Sequence, residues 1–385
     1  MIAPAPAAPL RSALSTLQIG TIVGRASLGG GERYYFDLLR TLPSQGVAVR
    51  GLIVGDPSRV ERPVPGVDSF APDGADRLTR WRGLRRSVGR RLGGSDLVVS
   101  HLAPHTFPVL DLIGARPFVV HFHHPIALAQ WEEKGLRSRL EWLEEWAVYR
   151  RPARLIVLSR AFARTLARDY RVPEERIRVI PGGVDLRRFA ALGSRAHARG
   201  VLGLPADRPI VVTVRRLVEN KGLEELIGAV DLLRREVPDA LLAIGGSGFL
   251  RDALEARVRA LGLERWVRFL GYVDDDSLPL VYRAADLSIV PTAAWEGFGL
   301  VVVEALACGT PVLVTPVGGL PEVVTDLEPG LVLAGCGRAT LAAGMIDALR
   351  GRLRLPDEAA CTAYARRFDW PAIAGRISDV YREAL

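Results

Sequence analysis

Lysine is nearly missing from these 385 residues: Lys134 and Lys221 stand against 49 arginines, within a formal charge of +8. A basic chain of this kind suits nucleic acid, a membrane surface or phosphorylated small molecules. A general Arg-for-Lys usage is the plainer reading of most of these residues, and either way each surviving lysine invites a specific explanation. Cysteine is scarce too. Cys308, Cys336 and Cys361 cannot all pair and no Cys-x-x-Cys occurs, which excludes a disulfide-stapled scaffold and leads us to expect reduced thiols in a cytoplasmic protein. No apolar run reaches the roughly 18 residues a spanning helix needs. The opening MIAPAPAAPLRSALS has no basic start and no compact apolar stretch, so it does not read as a secretory signal but as a flexible leader over 1–15. GxxxxGK[ST], HExxH and GxSxG are all lacking, which excludes P-loop, zinc-protease and serine-hydrolase readings.

What is present is a globular composition, with 49% hydrophobic and 24% charged residues, long enough for two to three domains. Apolar runs suited to buried strands fall at 17–24, 47–55, 96–100, 117–123, 154–159 and 177–183. A second series falls at 209–217, 240–246, 266–273, 286–292 and 310–315. Helical patterns lie between them, including 32–41, 136–149, 161–170, 223–237, 250–261 and 301–308. Strands apolar on both faces and alternating with helices belong to parallel sheets covered on both sides. The series breaks between Asp185 and Pro209, so the chain reads as α/β with two Rossmann-like doubly wound domains facing across a cleft. The expected boundaries are 16–200, 201–367, and a C-terminal helix at 368–385. Ligands in such folds sit at the carboxyl ends of strands, which directs attention to the loops there.

Four loops carry chemistry. SLGGGERYYFDLL (27–39) turns on glycine into a helix, so backbone at Gly29 and Gly30 can approach a diphosphate at a helix N-terminus. VRRLVENKGLEEL (214–226) brings Arg215, Arg216 and Lys221 after a buried strand, a guanidinium fork and a point charge suited to phosphate. WEGFGLVVVEALACGTPVLVTPVGG (295–319) puts Glu296 in a loop and Glu304 within the following helix, with the amides of Phe298, Gly299 and Leu300 at its start. An all-helical reading sets the two carboxylates about 80° apart, too divergent for an acid/base pair and better suited to separate hydroxyl groups. In HFHHP (121–125) His121 and His123 share one strand face and His124 takes the other. No carboxylate or thiol ligand follows, so a lone histidine acting at the strand tip is expected rather than a metal site.

The ordered set GGGER, HFHHP, RLIVLSRAFARTL, RVIPGGVD, VRRLVENKGLEEL, EGFGLVVVEALACGTPVLVTPVGGLPEVV and FDWPAIAGRISDVY resembles the family 4 retaining nucleotide-sugar glycosyltransferases, with their two-domain GT-B fold. The resemblance covers nearly the whole chain, and its Glu-x7-Glu block is the most specific part. It implies transfer of a sugar from a nucleotide diphosphate sugar to an acceptor hydroxyl with retained anomeric configuration. No cofactor and no metal would be required. Gly29 and Gly30 would flank the diphosphate, and Arg216 and Lys221 would neutralise it. Glu296 would hold sugar hydroxyls, Phe298, Gly299 and Leu300 amides the phosphate, and Glu304 the ribose. His123 would stand near the reacting centre, and the last helix would cross back to the first domain. Two departures are visible. Arg215 stands where the family carries a glycine before its arginine, and Gly182 or Gly183 replaces an asparagine.

The implied acceptor is a glycan, glycolipid or other glycoconjugate of polysaccharide or cell-envelope biosynthesis. RLTRWRGLRRSVGRRL (77–92) sets Leu78, Trp81, Leu84, Val88 and Leu92 at helical spacing among seven arginines. Such a stripe could lie on an anionic membrane surface or pack on the first domain's sheet. The expected location is the cytoplasm, with contact at the inner face of the membrane, and no nucleic acid partner. The competing readings are a non-catalytic nucleic-acid or lipid binder on the same scaffold and a nucleotide-sugar epimerase.

Overall fold

A computed structural model describes residues 13–23, 29–129, 135–190 and 193–385. Most of the leader and Lys134 fall outside these. Two all-parallel sheets organise the chain. The first has seven strands in the order β3-β2-β1-β4-β5-β6-β7 and the second five in the order β10-β9-β8-β11-β12. Strands β1 (Leu14–Val23), β2 (Val47–Gly55), β3 (Val67–Ala71), β4 (Leu97–Ser100), β5 (Phe118–Phe122), β6 (Arg154–Val157) and β7 (Ile177–Val179) build the first sheet. Strands β8 (Ile210–Val214), β9 (Leu241–Gly245), β10 (Val267–Gly271), β11 (Leu287–Val290) and β12 (Val312–Val314) build the second. In each sheet the order reverses beside the first strand in sequence, β1 and β8, so a crevice opens at that switch point. These are the two doubly wound domains expected. Strand β3 is the addition. Its VDSFA has little alternation, and it holds an edge position through pairing of Gly51 with Val67 and Leu52 with Asp68.

The helices that shape the cleft are α1 (Gly30–Thr41), α2 (Arg77–Arg91), α3 (Leu136–Tyr149), α4 (Arg160–Asp169), α5 (Leu223–Glu236), α6 (Ser277–Ala284), α7 (Leu300–Ala307) and α8 (Trp370–Glu383). Helix α1 places Tyr34, Tyr35, Leu38 and Leu39 on one buried face at the spacing a packed helix requires. Helix α2 starts on an Asp76 cap and buries Leu84 and Val88, with Leu92 following. Its apolar stripe therefore lies on the core of the first sheet. Leu78 stays exposed, and Arg82, Arg86 and Arg90 form an exposed row at four-residue spacing.

Helix α8 crosses to the first domain. The Val184 amide donates to the Phe368 carbonyl at 2.8 Å, and the Trp370 amide to the Val184 carbonyl at 3.2 Å. The Trp370 ring meets Tyr34 edge-on, Glu383 binds Arg154 and Arg178, and Tyr381 reaches the His121 ring at 2.8 Å. Elsewhere the two domains are joined by carboxylates. Glu322, in the short helix Leu320–Val324, accepts from the Arg160 and Ala161 amides at 2.8 Å each, which caps α4 from the opposite domain. Glu61 accepts from the Tyr272 hydroxyl at 2.5 Å and the Asp275 amide at 2.8 Å, and Asp275 pairs with Arg33 of α1.

Candidate active site

The cleft between the sheets opens to solvent over a space of about 1530 Å3. Beside it lies a smaller cavity of about 570 Å3, with Glu304 and Arg33 in its wall. Two helix starts converge here. Gly29 is the N-cap of α1 and Gly299 that of α7. A Cβ on Gly30 would come within 3.9 Å of the Leu300 side chain, and one on Gly29 within 3.6 Å of the Arg216 guanidinium. The partial positive ends of both helices, and Arg216 between them, thus face one volume. Arg216 is exposed and has no acidic partner among the described residues.

The neighbouring cations are differently placed. Arg215 and Lys221 both point at one oxygen of Glu296. Arg215 Nη2 lies 2.6 Å and Lys221 Nζ 3.1 Å from Oε2, and the Thr292 hydroxyl donates to the same atom at 3.3 Å. The Arg215 side chain is only 4% exposed, and its Nη1 has no partner among the described residues. Burial works against ionisation of Glu296, but the Lys221 and Arg215 charges prevail and hold its pKa down to about 2. Burial lowers the Lys221 ammonium from its ordinary value, with Glu296 opposing. Pairing of Arg215 and Lys221 with a carboxylate 81 and 75 positions away left no local signal in the sequence.

Glycine fixes the Glu296 loop. Gly318 has φ of +57°, and a Cβ there would fall 1.9 Å from the Glu296 carbonyl oxygen, so the chain can double back only with glycine. Gly299, at φ of +87°, makes the turn into α7. The Phe298 ring is core, packed edge-on against Phe368, and its residue also lines the cleft. Glu304 is 8% exposed and accepts from the Tyr282 hydroxyl at 3.1 Å. Burial raises its pKa, against the Arg33 and Arg188 charges.

His123 follows the end of β5 and lines the cleft with His124. His121 is buried behind it, and His101, which no sequence motif singles out, joins them. Ligand atoms of His101, His121 and His123 all lie within 4.8 Å of one another. The three ring planes are parallel to within 20°. Five of the six ring nitrogens already have hydrogen-bond partners: Gln18 and His123 for His101, Tyr34 and Tyr381 for His121, and His101 for His123. Burial lowers the pKa of all three, that of His123 to about 4.

Comparison with known proteins agrees with this arrangement in both halves. Residues 28–188 match the model of Glycosyltransferase Family 4, and residues 194–368 that of Glycosyl transferases group 1. A D-inositol 3-phosphate glycosyltransferase of Actinosynnema mirum is 35% identical over 296 residues, covering 69% of each chain. Sucrose-phosphate synthase from Thermosynechococcus elongatus superposes with a TM-score of 0.79 at 26% identity, over 96% of this chain and 98% of that one. Anabaena HepE, solved with UDP-glucose, does so with a TM-score of 0.76 at 23% identity, over 95% and 99%. With a family model matched on each side of the cleft and a relative aligned over two thirds of its length, the chain belongs to the group 1 and family 4 glycosyltransferases.

Proposed function

We propose that the chain moves a sugar from a nucleoside diphosphate sugar to an acceptor hydroxyl, with anomeric configuration retained and no metal ion required. The observation that carries this reading is the convergence of Arg216 with the N-termini of α1 and α7 beside the buried carboxylate of Glu304. A diphosphate fits the cationic slot and a ribose the cavity that Glu304 lines. That HepE is solved with UDP-glucose supports a donor of this class. When the C1–O bond to the diphosphate breaks, its electrons go to the leaving oxygen, and fixed positive charge at that place lowers the barrier. Arg216, the helix ends and Lys221 supply the charge. Arg215 Nη1 offers a further donor to an oxygen of the sugar nucleotide, and Glu296 accepts from sugar hydroxyls through Oε1. The acceptor oxygen attacks C1 on the face the diphosphate leaves, and its proton passes to the leaving phosphate. No second carboxylate is needed, in contrast to a glycosidase.

In this reading the acceptor is a glycan or a lipid-linked glycoconjugate of the cell envelope, met in the cytoplasm at the inner membrane face. No described helix is long and apolar enough to cross a membrane. The exposed Arg82, Arg86 and Arg90 row of α2 supplies the contact with anionic lipid. Sedimentation with anionic liposomes at low salt tests this, and an unchanged supernatant refutes it. The donor is tested by thermal shift with UDP, GDP, ADP and CMP in EDTA, on wild type and Glu304→Gln. One nucleoside diphosphate stabilising wild type but not the variant is expected. Stabilisation by none removes the transferase reading in favour of a binding protein, and sugar conversion without an acceptor indicates an epimerase.

A further inference from the structure

A directional hydrogen-bond chain runs from the core of the first sheet to the cleft. Its origin is a group that can only accept, the backbone carbonyl of Ala48 on β2. The Thr16 hydroxyl of β1 donates to it at 3.0 Å. With its proton so placed, Thr16 Oγ1 accepts from Gln18 Nε2 at 2.9 Å, and this settles which end of the Gln18 amide faces which way. Gln18 Oε1 therefore faces His101 Nε2, 2.8 Å away, and an amide oxygen can only accept, so His101 bears its proton on Nε2. Thr16 and Gln18 are fully buried and His101 is 4% exposed. Burial and the adjacent His121 and His123 rings depress its pKa well below the ordinary histidine value, so the ring is neutral. A neutral ring with a proton on Nε2 has a bare Nδ1, and that atom lies 3.3 Å from His123 Nε2. His123 must donate across this contact.

We infer that Thr16, Gln18 and His101 are positioning residues that lock His123 as the Nε2–H tautomer, so that it presents Nδ1 to the cleft as a bare hydrogen-bond acceptor. Nδ1 has no partner among the described residues, and His123 lies in the cleft wall. Its role is then to accept from a sugar hydroxyl of donor or acceptor. Reversing the chain requires the Gln18 amide to turn over and Thr16 to abandon the Ala48 carbonyl. The inference rests on the transferase reading for the use of Nδ1 but not for the tautomer itself, which exists without ligand.

The experiment is 15N NMR of histidine-labelled, ligand-free protein, with His123→Gln to identify the ring signals. Wild type shows His123 protonated on Nε2 and bare at Nδ1. Thr16→Val keeps the side-chain shape but frees the Gln18 amide, and His101→Phe removes the acceptor while filling the space. Each variant then shows the two His123 tautomers in comparable amounts. Transfer kcat/KM falls about twofold, in proportion to the share of His123 left in the competent tautomer, while thermal shift by the nucleoside diphosphate is unchanged. His123 carrying its proton on Nδ1 in wild type overturns the assignment, as does a tautomer that neither variant disturbs. A tautomer that responds while kcat/KM does not overturns the positioning role. Absence of transfer by wild type with any donor overturns the transferase reading and leaves the tautomer result standing.

Discussion

Replacing Glu296 by glutamine isolates the electrostatics of the cleft. One carboxylate oxygen receives Arg215 at 2.6 Å and Lys221 at 3.1 Å, in surroundings where the Arg215, Lys221 and Glu296 side chains are 4%, 11% and 16% exposed. The amide would keep the shape and lose the charge, leaving two cations buried without compensation. Breaking a buried pair in this way costs about 3–5 kcal/mol. The lower end applies because Lys221, with its ammonium already disfavoured by burial, can shed its proton, whereas Arg215 cannot. We therefore expect Glu296→Gln to lose about 3 kcal/mol of unfolding free energy in urea titration at neutral pH. Adding Arg215→Met should restore part of it, since the second change removes the orphaned cation. A nucleoside diphosphate should also stabilise Glu296→Gln more than wild type, because the freed cations face an anion. Two results would refute the reasoning: unchanged stability of Glu296→Gln, or a double variant weaker than the single one.

Three further outcomes follow from other features. The histidines at 101, 105, 121, 123 and 124 all have pKa values lowered first by burial, to about 4 for His105, His123 and His124, so unfolding takes up protons below the unfolded value of about 6.5. Glu145, raised by burial to about 7, offsets about one of these. The histidine contribution to stability is thus full above pH 6.5 and falls as pH drops towards 4; urea midpoints equal at pH 7.5 and 5.5 would contradict this. Arg216→Ala, at an exposed side chain, should shift stability by less than about 0.5 kcal/mol yet weaken nucleoside diphosphate binding at least about tenfold, measured by calorimetry. Gly318→Ala should cost at least about 2 kcal/mol and abolish transfer by displacing the Glu296 carbonyl, with unfolding midpoint and activity read together.

The sheets were legible because buried parallel strands are written as continuous apolar runs, and eleven of the twelve strands fall on runs of that kind. Strand β3 escaped because an edge strand needs only one partner and its VDSFA carries polar residues at Asp68 and Ser69. The glycine turns and the Glu296–Glu304 block were visible because backbone geometry and helix entry are local. What stayed hidden was set by distance along the chain. Nothing in SHLAPH marks His101 until β4 sets it beside β5, and nothing in VRR says that Arg215 turns inward to Glu296 while Arg216 turns to the cleft. The stripe of 77–92 held two readings, membrane or sheet, and the structure gives Leu84, Val88 and Leu92 to the sheet.

The bond between His121 and Tyr381 spans 260 residues, and that separation becomes a time during synthesis. At about 5–20 residues per second, Tyr381 leaves the ribosome roughly 13 to 50 s after His121, long enough for the first sheet to collapse around an unfinished wall. Throughout that interval Tyr34 and His121 lack the Trp370 and Tyr381 rings that later cover them. A chain cut before α8 should therefore leave this aromatic face of the first domain without the cover that Trp370 and Tyr381 give it.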